Sequence, residues 1–131
     1  MRYKLKNQPK EGDKKQEGGS EYTLIAGKWR ETHYKHSRGY ESWYEYDEQG
    51  NQVYYKNSYR DEVWYEYDDK GNEVHYQNSN GDEVWKEYDE KGNCVHYKDS
   101  NGNEYWFNQD EEKITKEEFE ELYEVVEKKE W

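Results

Sequence analysis

The chain has 131 residues and a formal net charge of −12, from 20 Lys+Arg against 32 Asp+Glu, so it can hold one small acidic domain and no large catalytic architecture. Leu, Ile, Val and Phe contribute only 14 residues, but 16 Tyr and 6 Trp make the chain unusually aromatic. Because each buried ring removes about 150–250 Å² from water, we predict a folded protein with a thin aromatic core. The acidity argues against direct binding of nucleic acid or an anionic membrane and favours either a basic partner or a role in solubility alone.

The first predicted element is a polar, mobile arm over residues 1–20, which carries a net charge of +3 and contains Pro9 and three glycines. Residues 21–131 are predicted to form a single repeat-sheet domain. Residues 22–26, the only aliphatic run, are expected to form its first strand or a plug of its core. The amino terminus lacks the apolar stretch of a signal peptide, and a lone cysteine, Cys94, suits a reducing compartment. We therefore expect a cytoplasmic protein.

A repeat with a period of 21 residues organises the chain from about residue 31 to residue 108. The segment 62–80 recurs as 83–101, and an earlier copy begins at Glu41. The clearest markers of the period are four tryptophans: Trp43, Trp64, Trp85 and Trp106. Each copy contains two strand-like segments rich in Val, Trp and Tyr, so the array predicts an antiparallel β-meander of hairpin repeats, with about eight strands.

Two turn signals alternate along the array. The Asp-x-x-Gly-Asn sequence, as in 68–72, predicts a three-residue hairpin loop, and Asn80-Gly81 predicts a two-residue loop. One odd and one even loop reproduce the period of 21, because two loops of equal length would move each copy to the opposite face of the sheet.

This register predicts two different faces. One should carry residues that hardly vary between copies, and we expect it to form the core: Trp43, Trp64, Trp85, Trp106, Val53, Val74, Val95, Tyr55, Tyr76, Tyr97, Glu45, Glu66 and Glu87. The other should face solvent or a partner: Val63, Val84, Tyr44, Tyr65, Lys86, Phe107, Tyr46, Tyr67, Tyr88, Tyr54, His75 and His96.

The last predicted element is an α-helix over about 115–130. Thr115 and Glu118 have the spacing of a capping box, and Phe119, Leu122, Tyr123 and Val126 form an apolar stripe. This stripe is expected to pack on the sheet.

Catalytic and metal-binding patterns are weak in this sequence. His33, His75 and His96 occupy one repeat position, which places them two strands apart, about 9.6 Å, too far to share one zinc ion. Glu45, Glu66 and Glu87 are equivalent by repeat and do not form a differentiated acid–base pair. Turn chemistry accounts for Asp47, Asp68 and Asp89 without calcium. We therefore expect no metal, no cofactor and no enzymatic activity.

The Tyr-Asp-x-x-Gly-Asn motif recurs at 46–51, 67–72 and 88–93. It resembles the tyrosine–aspartate (YD/RHS) repeats of bacterial polymorphic toxin systems, and the array resembles the short hairpin-repeat immunity proteins of such systems. The resemblance covers residues 31–108 and implies an immunity protein that occludes a basic toxin domain, with a nuclease as the best-fitting toxin.

The partner-binding residues expected for this function are central aromatic side chains of the outer face backed by turn carboxylates: Tyr65, Tyr67, Tyr88, His75, Asp68, Asp69 and Asp89. The alternative is a secreted or surface-associated module that binds carbohydrate or cell wall through its aromatic rows. An export signal would favour that alternative, and a basic toxin encoded by a neighbouring gene would favour the first function.

Overall fold

The structure is a computed structural model that describes residues 1–3 and 6–125. Antiparallel strands follow one another in chain order, which confirms the predicted mainly β meander, and a single helix lies near the carboxyl end of the described part. The strands are β1 (Lys14–Glu17), β2 (Ser20–Ile25), β3 (Lys28–Lys35), β4 (Glu41–Tyr46), β5 (Gln52–Asn57), β6 (Glu62–Tyr67), β7 (Glu73–Asn78), β8 (Glu83–Tyr88), β9 (Cys94–Asp99), β10 (Glu104–Phe107) and β11 (Lys113–Ile114), and the helix is α1 (Lys116–Leu122).

The chain divides into two compact units, residues 1–65 and residues 66–131, with the boundary inside β6. The first contains β1 to β5 and most of β6. The second contains the end of β6, the strands β7 to β11 and α1.

Part of the predicted mobile arm over residues 1–20 belongs to the sheet. Residues 14–17 form β1, which pairs with β2 from Lys14↔Thr23 to Glu17↔Ser20. The backbone N–H of Gly12 also donates to the carbonyl of Leu24, with 2.8 Å between N and O. The sequence of this strand is too polar to give an apolar alternation, so pairing with β2 could not be read from it.

Both kinds of hairpin turn have three-residue loops. In the Asp-x-x-Gly-Asn turn the N–H of Asp68 donates to the carbonyl of Asn72, and in the Asn-Gly turn the N–H of Asn78 donates in the same way to Asp82. The predicted two-residue Asn-Gly loop is therefore wrong. Gly81 has a φ of 86°, and this left-handed conformation closes the loop one residue later than a two-residue turn would.

The odd residue that the period requires comes from a β-bulge. In β4·β5, Glu45 pairs with Tyr54 but Tyr46 pairs with Gln52, so Val53 is an extra residue. The same shift leaves Thr32 without a direct partner in β2·β3 and Val95 without one in β8·β9, and these bulge residues lie one and two repeat periods from Val53. One inserted residue changes the parity of the register, as two unequal loops would have done.

The three-residue loop at 79–81, and its counterpart at 58–60, change which residues share a face. Trp85 pairs with His75, and Tyr76 pairs with Val84, whereas the sequence predicted that Tyr76 faces Trp85. In the first unit Trp64 likewise pairs with Tyr54 rather than sharing a face with Tyr55, which pairs with Val63. The two predicted faces were therefore partly exchanged.

We call the observed surfaces the tryptophan face and the tyrosine face of each unit. The tryptophan face has Trp43, Trp64, His33, Tyr54 and Lys56 in the first unit, and Trp85, Trp106, His75, His96 and Lys98 in the second. The tyrosine face has Tyr44, Tyr55 and Val63 in the first unit, and Tyr76, Val84, Lys86 and Tyr97 in the second.

The buried core is thin and does not consist of the tryptophans. Among the described residues the buried hydrophobic side chains are Val74 and Val95, at 6% and 5% exposure. Val95 is the bulge residue of β9, and Val74 occupies the same repeat position in β7. Trp64 and Trp85 are exposed, so the prediction that their face forms the core is wrong.

Helix α1 begins as predicted and ends earlier. The Thr115 side chain accepts from the N–H of Glu118, and the Glu118 side chain accepts from the N–H of Thr115, which completes the capping box. Tyr123 is extended, with φ −120° and ψ 143°, so the helix ends at Leu122. The predicted extension to residue 130, including Val126, falls outside the described residues. Phe119 lies 6.4 Å from the ring of His96, which places the helix on the tryptophan face of the second unit.

Candidate functional site on the tryptophan face

A three-residue constellation repeats along the tryptophan face. A His or Tyr is followed eight residues later by a Glu and ten residues later by a Trp. Because this aromatic residue and the Trp pair directly across a hairpin, and the Glu lies two positions before the Trp, all three side chains project from the same face. The four sets are His33/Glu41/Trp43, Tyr54/Glu62/Trp64, His75/Glu83/Trp85 and His96/Glu104/Trp106.

The histidines of these sets stack on their tryptophans. The ring centroids of His75 and Trp85 are 5.6 Å apart with an interplanar angle of 19°, and His33/Trp43 and His96/Trp106 are similar at 5.3 and 5.2 Å. Tyr54 instead tilts by 45° against Trp64 at 5.8 Å. Each set therefore presents a pair of rings side by side on the sheet surface.

Glutamate carboxylates lie within hydrogen-bond distance of both ring nitrogens of His75 and His96. Nε2 of His75 lies 3.0 Å from Glu83, and its Nδ1 lies 3.2 Å from Glu66. His96 repeats this arrangement with Glu104 and Glu87. A carboxylate only accepts hydrogen bonds, so the two contacts of His75 favour the ring form in which both nitrogens donate.

The pKa of His75 reflects opposing effects of burial and of its two carboxylate neighbours. Burial lowers the pKa of the ring, but the hydrogen bonds and negative charges of Glu83 and Glu66 outweigh burial and raise it above the ordinary value of 6.5. The sets of the first unit differ. His33 bonds Glu41 at 2.7 Å, and Tyr54 donates to Glu62 at 2.6 Å, which raises the pKa of Tyr54 to about 12.

Two of the four tryptophans are open to solvent. Trp64 and Trp85 are 38% and 39% exposed. Trp43 carries a cation from its own chain, because Nζ of Lys56 lies 5.8 Å from its ring centroid. At the other end of the second unit, α1 lies over the Trp106 set through Phe119.

The chain already uses its aromatic rings to hold cations at several places. Nζ of Lys15 lies 4.8 Å from the centroid of Trp29, and Nζ of Lys113 lies 4.1 Å from that of Tyr105. Together with Lys56 over Trp43, these contacts show that the rings of both faces are accessible to ammonium groups and oriented to receive them.

The tyrosine face uses its hydroxyls within the sheet. The Tyr46 hydroxyl donates to the backbone carbonyl of Glu31 at 2.7 Å, and the Tyr88 hydroxyl donates to that of Glu73 at 2.5 Å. Burial, followed by the negative charges of the Cys94 thiolate, Glu73 and Asp68, raises the pKa of Tyr88 to about 12. Lys86 on the same face pairs with Glu73 at 3.7 Å.

The structure separates His75 from the three predicted partner-binding tyrosines, because they lie on opposite faces. Tyr67 and Tyr88 follow the strand alternation of the tyrosine face, as does Tyr65, whereas His75 lies on the tryptophan face. Tyr65 and Tyr67 both have interactions of their own within the structure.

The three predicted carboxylates lie in turns. Both oxygens of Asp89 are used, since Oδ1 accepts from the backbone N–H groups of Lys91 and Asn93 and Oδ2 accepts from the Asn93 side chain. Asp68 has the same arrangement in its own turn, and Asp69, the next residue, also has a partner. These contacts give the turn aspartates a structural role.

Sequence reasoning missed the exposed tryptophans and their carboxylates. The available signal was the constant spacing of eight and ten residues from His or Tyr to Glu and Trp. The register that places these three on one face follows from a three-residue loop between the two strands, whereas Asn80-Gly81 predicted a two-residue loop.

Metal ligation and membrane spanning find no support in the described part of the chain. Residues 1–3 and 6–125 contain no cluster of three or more His, Cys, Asp and Glu side chains arranged around a possible metal ion. No helix there has both the length and the apolar character needed to cross a bilayer.

Burial raises the pKa of the Cys94 thiol, and its Sγ lies 3.5 Å from the carbonyl of His96.

Comparison with known proteins assigns no family to this fold and surface. No protein-family model matches the chain, and no curated protein matches it in sequence.

Proposed function

We propose that this chain is a cytoplasmic immunity protein that binds a basic toxin domain, with a nuclease as the best-fitting partner, and neutralises it by occlusion. The observation that carries the proposal is the pair of exposed tryptophans, Trp64 and Trp85, each in a ring–carboxylate set of a chain whose net charge is −12. The resemblance of the Tyr-Asp-x-x-Gly-Asn repeats to toxin-system repeats supports the same function.

The physical properties of the surface suit a tight protein complex. A nuclease must bind phosphate and therefore presents a cationic cleft, which an acidic partner approaches at a rate raised by electrostatic attraction. Tryptophan is enriched among the residues that dominate binding free energy at interfaces, because a rigid ring buries a large area at low entropic cost. Electrostatic attraction would set the association rate, and the buried tryptophan rings would set the dissociation rate.

The direct test is co-expression with a toxin candidate. The chain is produced in cells beside the carboxy-terminal domain encoded by the gene next to its own, and growth and co-purification are measured. We expect growth only when both proteins are present, a stable complex, and an association rate that falls steeply with added NaCl. Growth without this chain, or an acidic neighbour that never co-purifies, would contradict the proposal.

Carbohydrate binding by a secreted or surface-associated module is the second candidate, and the exposed indoles of Trp64 and Trp85 are the observation that favours it. Flat rings also stack on sugars, but an uncharged sugar gains nothing from the acidic charge. Retention on insoluble cell-wall polysaccharide that does not change between 50 mM and 500 mM NaCl would favour this function over the first.

A further inference from the structure

Negative charge is distributed very unequally between the two units. Residues 1–65 contain 11 acidic and 12 basic residues, a net charge of +1, whereas residues 66–131 contain 21 acidic and 8 basic residues, a net charge of −13. The segment 110–124 alone has eight acidic residues against two lysines. A basic partner is therefore attracted to the second unit.

The second unit also contains one of the exposed indoles. Trp85 lies in β8, with one ring face stacked on His75, and its register partner on the next strand is Lys98. Two carboxylates project from the same face close to it: Glu87, two residues along β8, and Glu66, which bonds the His75 ring. Glu87 bonds the ring of His96 in the same way, but the side chains of Glu66 and Glu87 are 58% and 67% exposed, so part of each carboxylate faces solvent and can meet a partner.

The comparable set in the first unit indicates what an indole in this position accepts. Trp43 is stacked on His33, and the ammonium of Lys56 lies over its ring at 5.8 Å. In this set the cation over the indole comes from the same chain, and Trp43 is less exposed than Trp85. A Lys or Arg side chain from a partner would meet the same ring type at Trp85, with two exposed carboxylates beside it. Cation–π attraction and charge pairing reinforce each other there.

We propose that the tryptophan face of the second unit, centred on Trp85 with Glu66 and Glu87, is the docking surface for a Lys/Arg-bearing segment of the basic partner, and that one cationic side chain of this segment lies over the Trp85 indole. The proposal deepens the proposed function and rests on it for the nature of the partner. A sugar lacks the charge that Glu66 and Glu87 would select, so the same surface disfavours a neutral ligand.

The test follows the indole N–H signals of the full-length protein by NMR. The probe is a blocked heptapeptide that alternates Arg and Thr, so that every Arg lies on one side when the peptide is extended. Substitution Trp85→Leu identifies the Trp85 signal, and Trp43→Leu identifies that of its matched control. We expect a saturable shift at Trp85 several times larger than at Trp43, and about a 10-fold weaker peptide affinity in Trp85→Leu with little change in Trp43→Leu.

A second pair of variants keeps the test decisive if Trp85→Leu does not fold. The double substitution Glu66→Gln and Glu87→Gln should weaken binding about 5-fold, whereas the single substitution Glu45→Gln in the first unit should leave it unchanged. A peptide with Gln in place of Arg should not bind. Equal losses in Trp85→Leu and Trp43→Leu, or equal binding of the Arg and Gln peptides, would overturn the inference.

The two proposals fail in different ways. If the Arg peptide binds at Trp85 but no co-expressed toxin domain is neutralised, the docking surface stands and the immunity function falls. If the folded Trp85→Leu variant protects cells as fully as the unchanged chain, the function stands and this docking surface is wrong.

Discussion

At the scale of single residues, the most informative feature is a histidine held between two carboxylates. The two ring nitrogens of His75 lie within hydrogen-bond distance of Glu83 on one side and Glu66 on the other, while the ring stacks on Trp85. A neutral imidazole has only one N–H and could satisfy only one of these acceptors. The constellation therefore stabilises the charged ring, and through it the register of β7 and β8.

The stability of the protein should fall as pH rises through the pKa of His75. The folded-state pKa is raised above 6.5, so the folded state binds more protons than the unfolded state in this range. The stabilisation is present in full below about pH 6.5 and is lost as pH passes the folded pKa. Urea midpoints measured from pH 6 to pH 8.5 should decline less in His75→Gln than in the unchanged chain.

The matched control for this prediction is His36→Gln. The ring of His36 accepts at Nδ1 from the backbone of Arg38 and is not held between carboxylates, so this variant should keep the full pH dependence. An NMR titration in which the His75 ring deprotonates at or below pH 6.5 would contradict the prediction.

The buried bulge valine should contribute more stability than an exposed valine. Val95→Ala removes two methyl groups from a site that is 5% exposed and should lower the free energy of unfolding by about 2 kcal/mol. Val125→Ala, at a side chain 81% exposed, makes the same chemical change and should stay within about 0.5 kcal/mol. Urea denaturation compares the two, and similar losses would show that the bulge position is not part of the core.

At the scale of elements, the strands and the helix start were predictable because each has a local physical cause. Alternating Val, Trp and Tyr between Gly-containing turns predicts strands, and the capping box at Thr115 and Glu118 fixes where α1 begins. The end of α1 was not predictable in the same way. The last turn has acidic and no basic side chains, which the helix dipole disfavours, and the chain becomes extended at Tyr123.

The turn aspartates should matter for hairpin stability. Asp89→Ala removes an acceptor for two backbone N–H groups and for the Asn93 side chain, and we expect a loss of about 1 kcal/mol because solvent can replace part of these bonds. Glu90→Ala in the same turn keeps these bonds and serves as the control. Thermal or urea unfolding measures both, and a loss in Glu90→Ala as large as that in Asp89→Ala would refute the structural role.

Asp89 also predicts an acid limb of the stability curve. Burial would raise the pKa of this carboxyl, but the hydrogen bonds from Asn93 and Lys91 lower it below 3.8 overall. The contribution is therefore present above pH 3.8 and is lost as pH falls through the lower folded pKa. In Asp89→Ala this part of the acid loss should be missing.

At the scale of the whole chain, the fold class followed from the 21-residue period, but the assignment of faces did not. The sequence argument correctly required that something in each 21-residue copy shift the strand register by one residue. It assigned this shift to unequal loops, because Asn80-Gly81 suggested a two-residue loop, whereas the structure inserts Val53 and Val95 as bulges. A bulge is fixed by packing on the neighbouring strand, which a single-strand pattern does not contain. The candidate site depends on the three-residue loop at 79–81, so the sequence grouped His75 with tyrosines that lie on the opposite face.

The uneven charge makes a prediction about salt. Residues 66–131 have a net charge of −13, so like charges repel within this unit and screening should stabilise it. Raising NaCl from about 10 mM to about 150 mM shortens the Debye length from about 30 Å to about 8 Å, and the urea midpoint should rise. Substituting Glu120, Glu121 and Glu124 with Gln should reduce this gain, whereas Glu48→Gln in the first unit should not. A midpoint that falls with added NaCl would contradict the prediction.

The bulge also decides how such a chain can change length. A recombination event that joins one copy to the corresponding position of the next removes or adds 21 residues, which comprise two strands, one turn of each kind and one bulge. The chain direction is restored after two strands, and the bulge keeps every later side chain on its original face. Copies can therefore be gained or lost as whole modules without redesign of the rest. A deletion of 20 residues would instead turn every downstream ring to the opposite surface.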